Sequence, residues 1–180
     1  MTREGLVPGK RALSIRGGAS SLSQESLLLI LQTQFDNYLP VRVFTSLANA
    51  LPCPLDTIAF RDLIWSRHEP LSPVVFRESL RCYSNIRAVH LSNCHRAYLA
   101  PLIAAPRIEP LFPRLERLCL TGNPREDDLS SIVISRDSAG MPLMYVGIRG
   151  CTSVSECFVE DVLAPKVDEV VLNGVRVRAS

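Results

Sequence analysis

Apolar residues recur along this chain in a fixed frame. Two of them stand three positions apart, a third follows two residues later, and a turn residue comes three beyond that. The clearest instance is Leu115-Glu-Arg-Leu118-Cys-Leu120-Thr-Gly-Asn123. The frame returns as Leu55, Ile58, Phe60 and Leu63, then as Ile86, Val89, Leu91 and Cys94. It returns again as Leu143, Val146, Ile148 and Cys151, and finally as Val167, Val170, Leu172 and Val175. A spacing of two is the period of a strand with one buried face. Each frame therefore predicts a short strand with its apolar residues turned inward and a turn residue, Asn123 in the clearest case, taking the backbone out of it.

The segments between frames read as helices and their connections. Ser21 and Gln24 form a capping box that predicts a helix over Leu22 to Gln34. A second helix is expected over Phe44 to Leu51, ended by Pro52 and Pro54. Ser72 as N-cap and Pro73 at the first helical position predict a helix over 73–82. Further helices are expected at 96–104, before a loop rich in proline, and at 128–135. Ser153 and Glu156 make another capping box, opening a helix over 154–163 that stops at Pro165. Phe44, Phe76 and Phe158 precede Leu55, Ile86 and Val167 by 11, 10 and 9 residues. An aromatic held at a near-constant distance before a strand is what stacked helix–strand units require. Leu13-Ser-Ile15 reads as one more, degenerate strand.

Frame starts at 55, 86, 115, 143 and 167 give periods of 31, 29, 28 and 24 residues. Frame and period together match the leucine-rich-repeat consensus L-x-x-L-x-L-x-x-N/C. The match implies an α/β leucine-rich-repeat solenoid, with a curved parallel sheet on the concave side and helices on the convex side. Residues 1–9 are expected to be a disordered or displaced lead-in. Residues 10–180 are expected to be a single domain of about five to six irregular units, stacked because no unit buries its apolar face without a neighbour.

Composition narrows the function. A net charge of +2 over 180 residues gives no strong pull toward nucleic acid or anionic lipid. The longest purely aliphatic run, Leu27 to Leu31, is far short of the ~18 apolar residues of a membrane span. The six cysteines show no C-x-x-C pair and no compact framework. The reading is an intracellular protein, cytoplasmic or nuclear, with no nucleic-acid or membrane partner. Nearly all the positive charge is arginine, Lys10 and Lys166 being the two lysines, and arginine suits bidentate contacts at protein surfaces.

Chemistry of the enzymatic kind finds no support. Gly5-Leu-Val-Pro-Gly9-Lys10 has three residues between its glycines where a phosphate loop has four, and Arg11 stands where Ser or Thr is needed. His90, Cys94, His95 and Cys119 do not converge as zinc ligands, because Cys94 falls in a turn slot and the histidines point apart. Cys119 beside His90 has no third group to orient a base. The chain is read as a non-enzyme, with no cofactor and no metal.

Binding chemistry is instead expected on the outward positions of the strands. Read across the frames, these form columns. One runs Asp56, Arg87, Glu116, Met144, Asp168, and the next Thr57, Ala88, Arg117, Tyr145, Glu169. A third runs Ala59, His90, Cys119, Gly147, Val171, and a fourth Arg61, Ser92, Thr121, Arg149, Asn173. The first alternates in sign, so neighbours neutralise much of its charge; the third is small enough to admit a partner segment. The candidate partner-binding residues are Arg61, Arg87, His90, Glu116, Arg117, Cys119, Tyr145, Arg149 and Glu169. Arg117, Tyr145 and Arg149 are the expected anchors, arginine and tyrosine being enriched where binding energy concentrates.

The frames with Cys94 and Cys151, the spacing near 28 residues and the irregular Pro-rich loops resemble the repeat regions of F-box proteins of the divergent fungal kind. That resemblance implies a scaffold that binds a partner protein on its concave face, as the substrate-recognition part of a ubiquitin-ligase receptor. No stretch here reads as the F-box itself, since Leu51-Pro52 leads into a repeat strand. A ubiquitin-ligase adaptor is thus an expected partner only if an F-box exists outside this chain, which would make it a substrate-receptor half or a fragment. The alternatives are a regulator of a GTPase acting through a repeat arc, and a truncated product without independent function. Val175-Arg-Val-Arg178 after the last frame predicts an uncovered edge strand and hence self-association.

Overall fold

The computed structural model describes residues 14–17, 27–32, 46, 55–61, 73–105 and 110–177. The lead-in and all of the helix expected over Phe44 to Leu51 except Ser46, which is helical, lie outside them. Among the described residues eight strands form one sheet, and their order in space is their order along the chain. They are β1 (Ser14–Gly17), β2 (Leu27–Gln32), β3 (Thr57–Arg61), β4 (Ala88–Ser92), β5 (Arg117–Thr121), β6 (Tyr145–Arg149), β7 (Glu169–Leu172) and β8 (Val175–Val177). The six from β2 to β7 run parallel, and β1 and β8 lie antiparallel at the two edges. The protein is a mixed α/β molecule built on a mostly parallel sheet.

The frame read from the sequence is the register of that sheet. Ile58, Val89, Leu118, Val146 and Val170 stand in one row, and Phe60, Leu91, Leu120, Ile148 and Leu172 in another. All ten are at most 6% exposed. The leading residues Leu55, Ile86, Leu115, Leu143 and Val167 are buried with them. Strand entries are fixed by shared acceptors: the Arg87 carbonyl takes both the Glu116 and Arg117 N–H groups at 2.9 Å, and the Glu116 carbonyl takes those of Met144 and Tyr145. Strand exits are fixed by left-handed backbone at the second residue past the last apolar position, namely Asn93, Gly122, Gly150 and Gly174. Asn and Gly are the residues that adopt this conformation at least cost. The turn expected of Asn123 thus belongs to Gly122 (φ 117°). Asn123 instead accepts the Thr152 N–H at 3.4 Å from the next connection. Cys94 and Cys151, in the same slot, direct their thiols at the Phe60 and Pro124 carbonyls of the unit before.

Helices pack on the face that carries these rows. Helix α1 (Pro73–Leu80) begins at a proline, as expected, and contributes Phe76 and Leu80 to the core. Phe76 lies edge-on to Phe60 of β3 and to Tyr98, with ring centroids 5.2 and 5.1 Å apart, joining strand, helix and connection. Helix α2 (Glu126–Ser138) is longer than 128–135. Glu126, Asp127 and Asp128 in its first turn complement the helix dipole. Its end is a left-handed Gly140, with Met141 N–H bonded back to Arg136 and Gly140 N–H to Asp137, the bonding of a glycine C-cap. Helix α3 starts at Glu156–Phe158 and widens into a π turn over Val159–Leu163. Its N-cap is Ser155, whose hydroxyl accepts the Phe158 N–H, and not Ser153, whose hydroxyl donates to the Pro124 carbonyl.

Two of the expected helices also need correction. Residues 27–32 are strand β2, paired parallel to β3, where a helix over Leu22 to Gln34 was expected. The apolar run Leu27 to Leu31 suits a strand buried on both faces as well as a buried helix, and β3 offers it a row of hydrogen bonds. The helix expected at 96–104 is two 3-10 turns, Arg96–Tyr98 and Ala100–Leu102. Pro101 has no N–H to continue a longer helix.

One buried cation ties α2 to the segment entering β5. Arg136 is 0% exposed and donates to the carbonyls of Leu111, Phe112 and Leu115 at 3.4, 3.0 and 3.5 Å. Burial lowers its pKa to about 10, so it stays charged at neutral pH, solvated by peptide dipoles. Leu118, fully buried in the central strand, is the most stringent position for the frame. Leu118→Ala is expected to cost about 2–5 kcal/mol. Leu118→Asp is expected to abolish cooperative thermal unfolding, because its charge has no partner there; a wild-type melting curve would refute the register.

Candidate partner-binding face of the sheet

Alternation along β3 to β7 turns every other residue away from the helices. These residues form three rows across the parallel strands. The entry row holds Thr57, Ala88, Arg117, Tyr145 and Glu169; the middle row Ala59, His90, Cys119, Gly147 and Val171. The exit row holds Arg61, Ser92, Thr121 and Arg149. Of the expected binding residues, Arg61, His90, Arg117 and Arg149 are exposed on this face, and Cys119, Tyr145 and Glu169 are half-buried on it. Arg87 and Glu116 lie one residue before their strands, beside the entry row, and pair with each other at 3.6 Å. The neutralisation expected from alternating sign is therefore present, in an exposed pair worth at most about 1 kcal/mol.

Arg117 and Tyr145 are brought together. The guanidinium carbon sits 4.9 Å from the ring centroid, a cation–π contact between adjacent strands. Beneath the ring is Gly147, buried, where an added Cβ would meet Tyr145 Cε1 and the hydroxyl oxygen at 2.9 Å. Glycine at this point lets the ring lie flat along β6. The result is a stack of backbone, ring and guanidinium, with Arg117 held over the middle of the face.

His90 and Cys119 are register neighbours and share the field of Arg117 and Arg149. Partial burial and the two guanidinium charges push the imidazole below its usual 6.5. Burial also pushes the Cys119 thiol up, against the opposing pull of the same two arginines. A neutral imidazole beside a protonated thiol is the reverse of an activated ion pair. Among the described residues, no group of three or more His, Cys, Asp or Glu side chains is placed to hold a metal ion. No helix among them is long and apolar enough to cross a membrane.

Beyond Tyr145 the face runs into a depression of about 520 Å³ between β5 and β8. Glu116, Arg117, Tyr145 and Glu169 line it, together with Met144, Asp168, Arg176 and Val177. Its far wall is β8, which turns back from β7 through Asn173 and Gly174, both left-handed at φ 50° and 91°. Arg176 donates from Nε and Nη2 to one oxygen of Glu169, at 2.9 and 2.5 Å. The edge of β7, expected to be uncovered, is therefore paired. Met144, Asp168, Arg176 and Val177 were missed as site residues, the last two although Asn-Gly between two apolar stretches is a strong hairpin signal. Comparison of the chain with family models, curated proteins and solved structures gives no match.

Two outcomes test this geometry. Gly147→Ala should lift the Tyr145 ring and abolish the ring-current shifts of the Arg117 methylene protons, as Tyr145→Ala does; unchanged shifts would disprove the stack. Because the folded state holds His90 neutral, an unfolded chain takes up its proton first as pH falls. Stability should thus be full above the ordinary pKa of 6.5 and decline below it. His90→Gln should flatten that decline in urea titrations between pH 7.5 and about 5.

Proposed function

We propose that this protein is a binding scaffold of the leucine-rich-repeat kind, with the sheet lining the inner side of an arc and the helices outside it. A partner protein sits on the outward rows of β3 to β7. The observation that carries this reading is the Arg117–Tyr145 stack in the middle of an open sheet face. An arginine pre-oriented on a half-buried aromatic loses little freedom on binding, and both residue types dominate interface hot spots. The in-register rows add support, because they present chemically different strips to one ligand. By its resemblance to the repeat regions of F-box proteins, the chain acts as a substrate-recognition element for ubiquitin transfer, with no catalytic step of its own.

Affinity capture from cell extract tests the reading, with wild type set against the triple variant Arg117→Glu, Tyr145→Ala, Arg149→Glu. These positions carry exposed or half-buried side chains off the core rows, so the variant should keep the wild-type melting temperature within about 3 °C. A protein retained by wild type and at least tenfold depleted from the variant is the expected result. Equal retention by both would move binding to the helical side or the sheet edges.

A further inference from the structure

The charges on this face are segregated. The described side chains of the middle and exit rows include no carboxylate, while the exit row carries Arg61 and Arg149 and the stack holds Arg117 over the middle row. Acidic groups gather elsewhere, at the strand entries and beside β8. There Glu116 is paired with Arg87 and Glu169 with Arg176. Among the described residues, Arg61, Arg117 and Arg149 have no carboxylate within ion-pair distance. Three guanidinium groups with no counter-charge among the described residues, on a face where Glu116 and Glu169 are already paired, call for an anionic partner.

The register supplies a spacing. Arg61, Ser92, Thr121 and Arg149 are direct neighbours across β3, β4, β5 and β6. Parallel strands about 4.8 Å apart put the Arg61 and Arg149 positions roughly 14 Å from each other, measured across the strands. An extended chain advances about 3.4 Å per residue, so four residues cover that distance. Four is an even number, which sends both side chains of such a segment to one side. Ala59, Cys119 and the flat ring over Gly147 keep the middle row low, so its backbone passes over the His90 imidazole that stands between the first two.

Resting on the scaffold reading above, we infer that the partner element is an extended acidic segment crossing the strands. Its carboxylates stand at positions i and i+4 and meet Arg61 and Arg149, and its backbone passes beside Arg117. Selectivity then lies in the spacing between carboxylates as well as in their number, because carboxylates three residues apart project to opposite sides.

The test uses fluorescein-labelled decapeptides on an alanine–threonine background. Each carries two glutamates at spacings from i,i+2 to i,i+6, with matching lysine peptides, and binding is read by anisotropy at low and at 0.5 M salt. The i,i+4 glutamate peptide should bind tightest and weaken at high salt. Arg61→Glu and Arg149→Glu should each weaken it about fivefold, the effect of one exposed ion pair of about 1 kcal/mol. The double reversal should prefer the i,i+4 lysine peptide. Binding that ignores charge and spacing but is lost in Tyr145→Ala would overturn the inference and leave the face as an interface. Failure of every peptide to bind would also overturn it. That failure, joined to equal capture by wild type and the triple variant, would overturn the scaffold reading as well.

Discussion

Everything in this molecule depends on one constraint: six consecutive strands pair parallel and in register, so a residue's parity along its strand decides its fate on every strand at once. A shift of one residue in any strand would carry its apolar pair to the open face and its polar residues into the core. The shared carbonyl acceptors at Asp56, Arg87 and Glu116 set where β4, β5 and β6 begin. The left-handed residues at 93, 122, 150 and 174 set where β4 to β7 end. Between those two limits the hydrophobic rows close up, and the surface rows are a by-product of the same geometry. The outward side chains of the rows therefore lie apart from the apolar core.

The strands from β3 to β7 were legible because their apolar residues repeat with fixed offsets, and repetition separates signal from the general abundance of leucine. β2 was not legible. Leu27 to Leu31 has no alternation, and a capping box just upstream favoured the wrong element. Its true state comes from a long-range partner, β3, that no local window contains. β8 failed differently: Asn173-Gly174 announced a reversal of direction, but the same residues also fit the end of another repeat frame. On the site, charge columns read from spacing put Arg117 next to Tyr145 correctly. The flat ring and the role of Gly147 depend on a side-chain conformation that spacing does not encode.

Two arginines show how differently one functional group is used. Arg136 is fully buried, its charge dispersed over three backbone carbonyls, and it fixes the approach to β5. Arg117, the first residue of that strand, is exposed and rests on an aromatic ring. The first is held by the interior and is unavailable to any partner. The second is steadied by the ring and remains exposed. The segment that Arg136 anchors leads directly into the strand that displays Arg117, so the buried and the exposed arginine are linked through a few residues of chain.

The strand order has a mechanical corollary. Each strand bonds only to its neighbours in sequence, and many side-chain contacts span a single unit, as in Ser155 with Glu126 and Lys166 with Asp137. A pulling force applied at the two ends loads the outermost pairs first and opens their hydrogen bonds one after another, like a zipper. It does not shear a whole ladder at once. Such a sheet yields at low force and in small steps, and it takes up strain at its margins while its middle strands keep their shape.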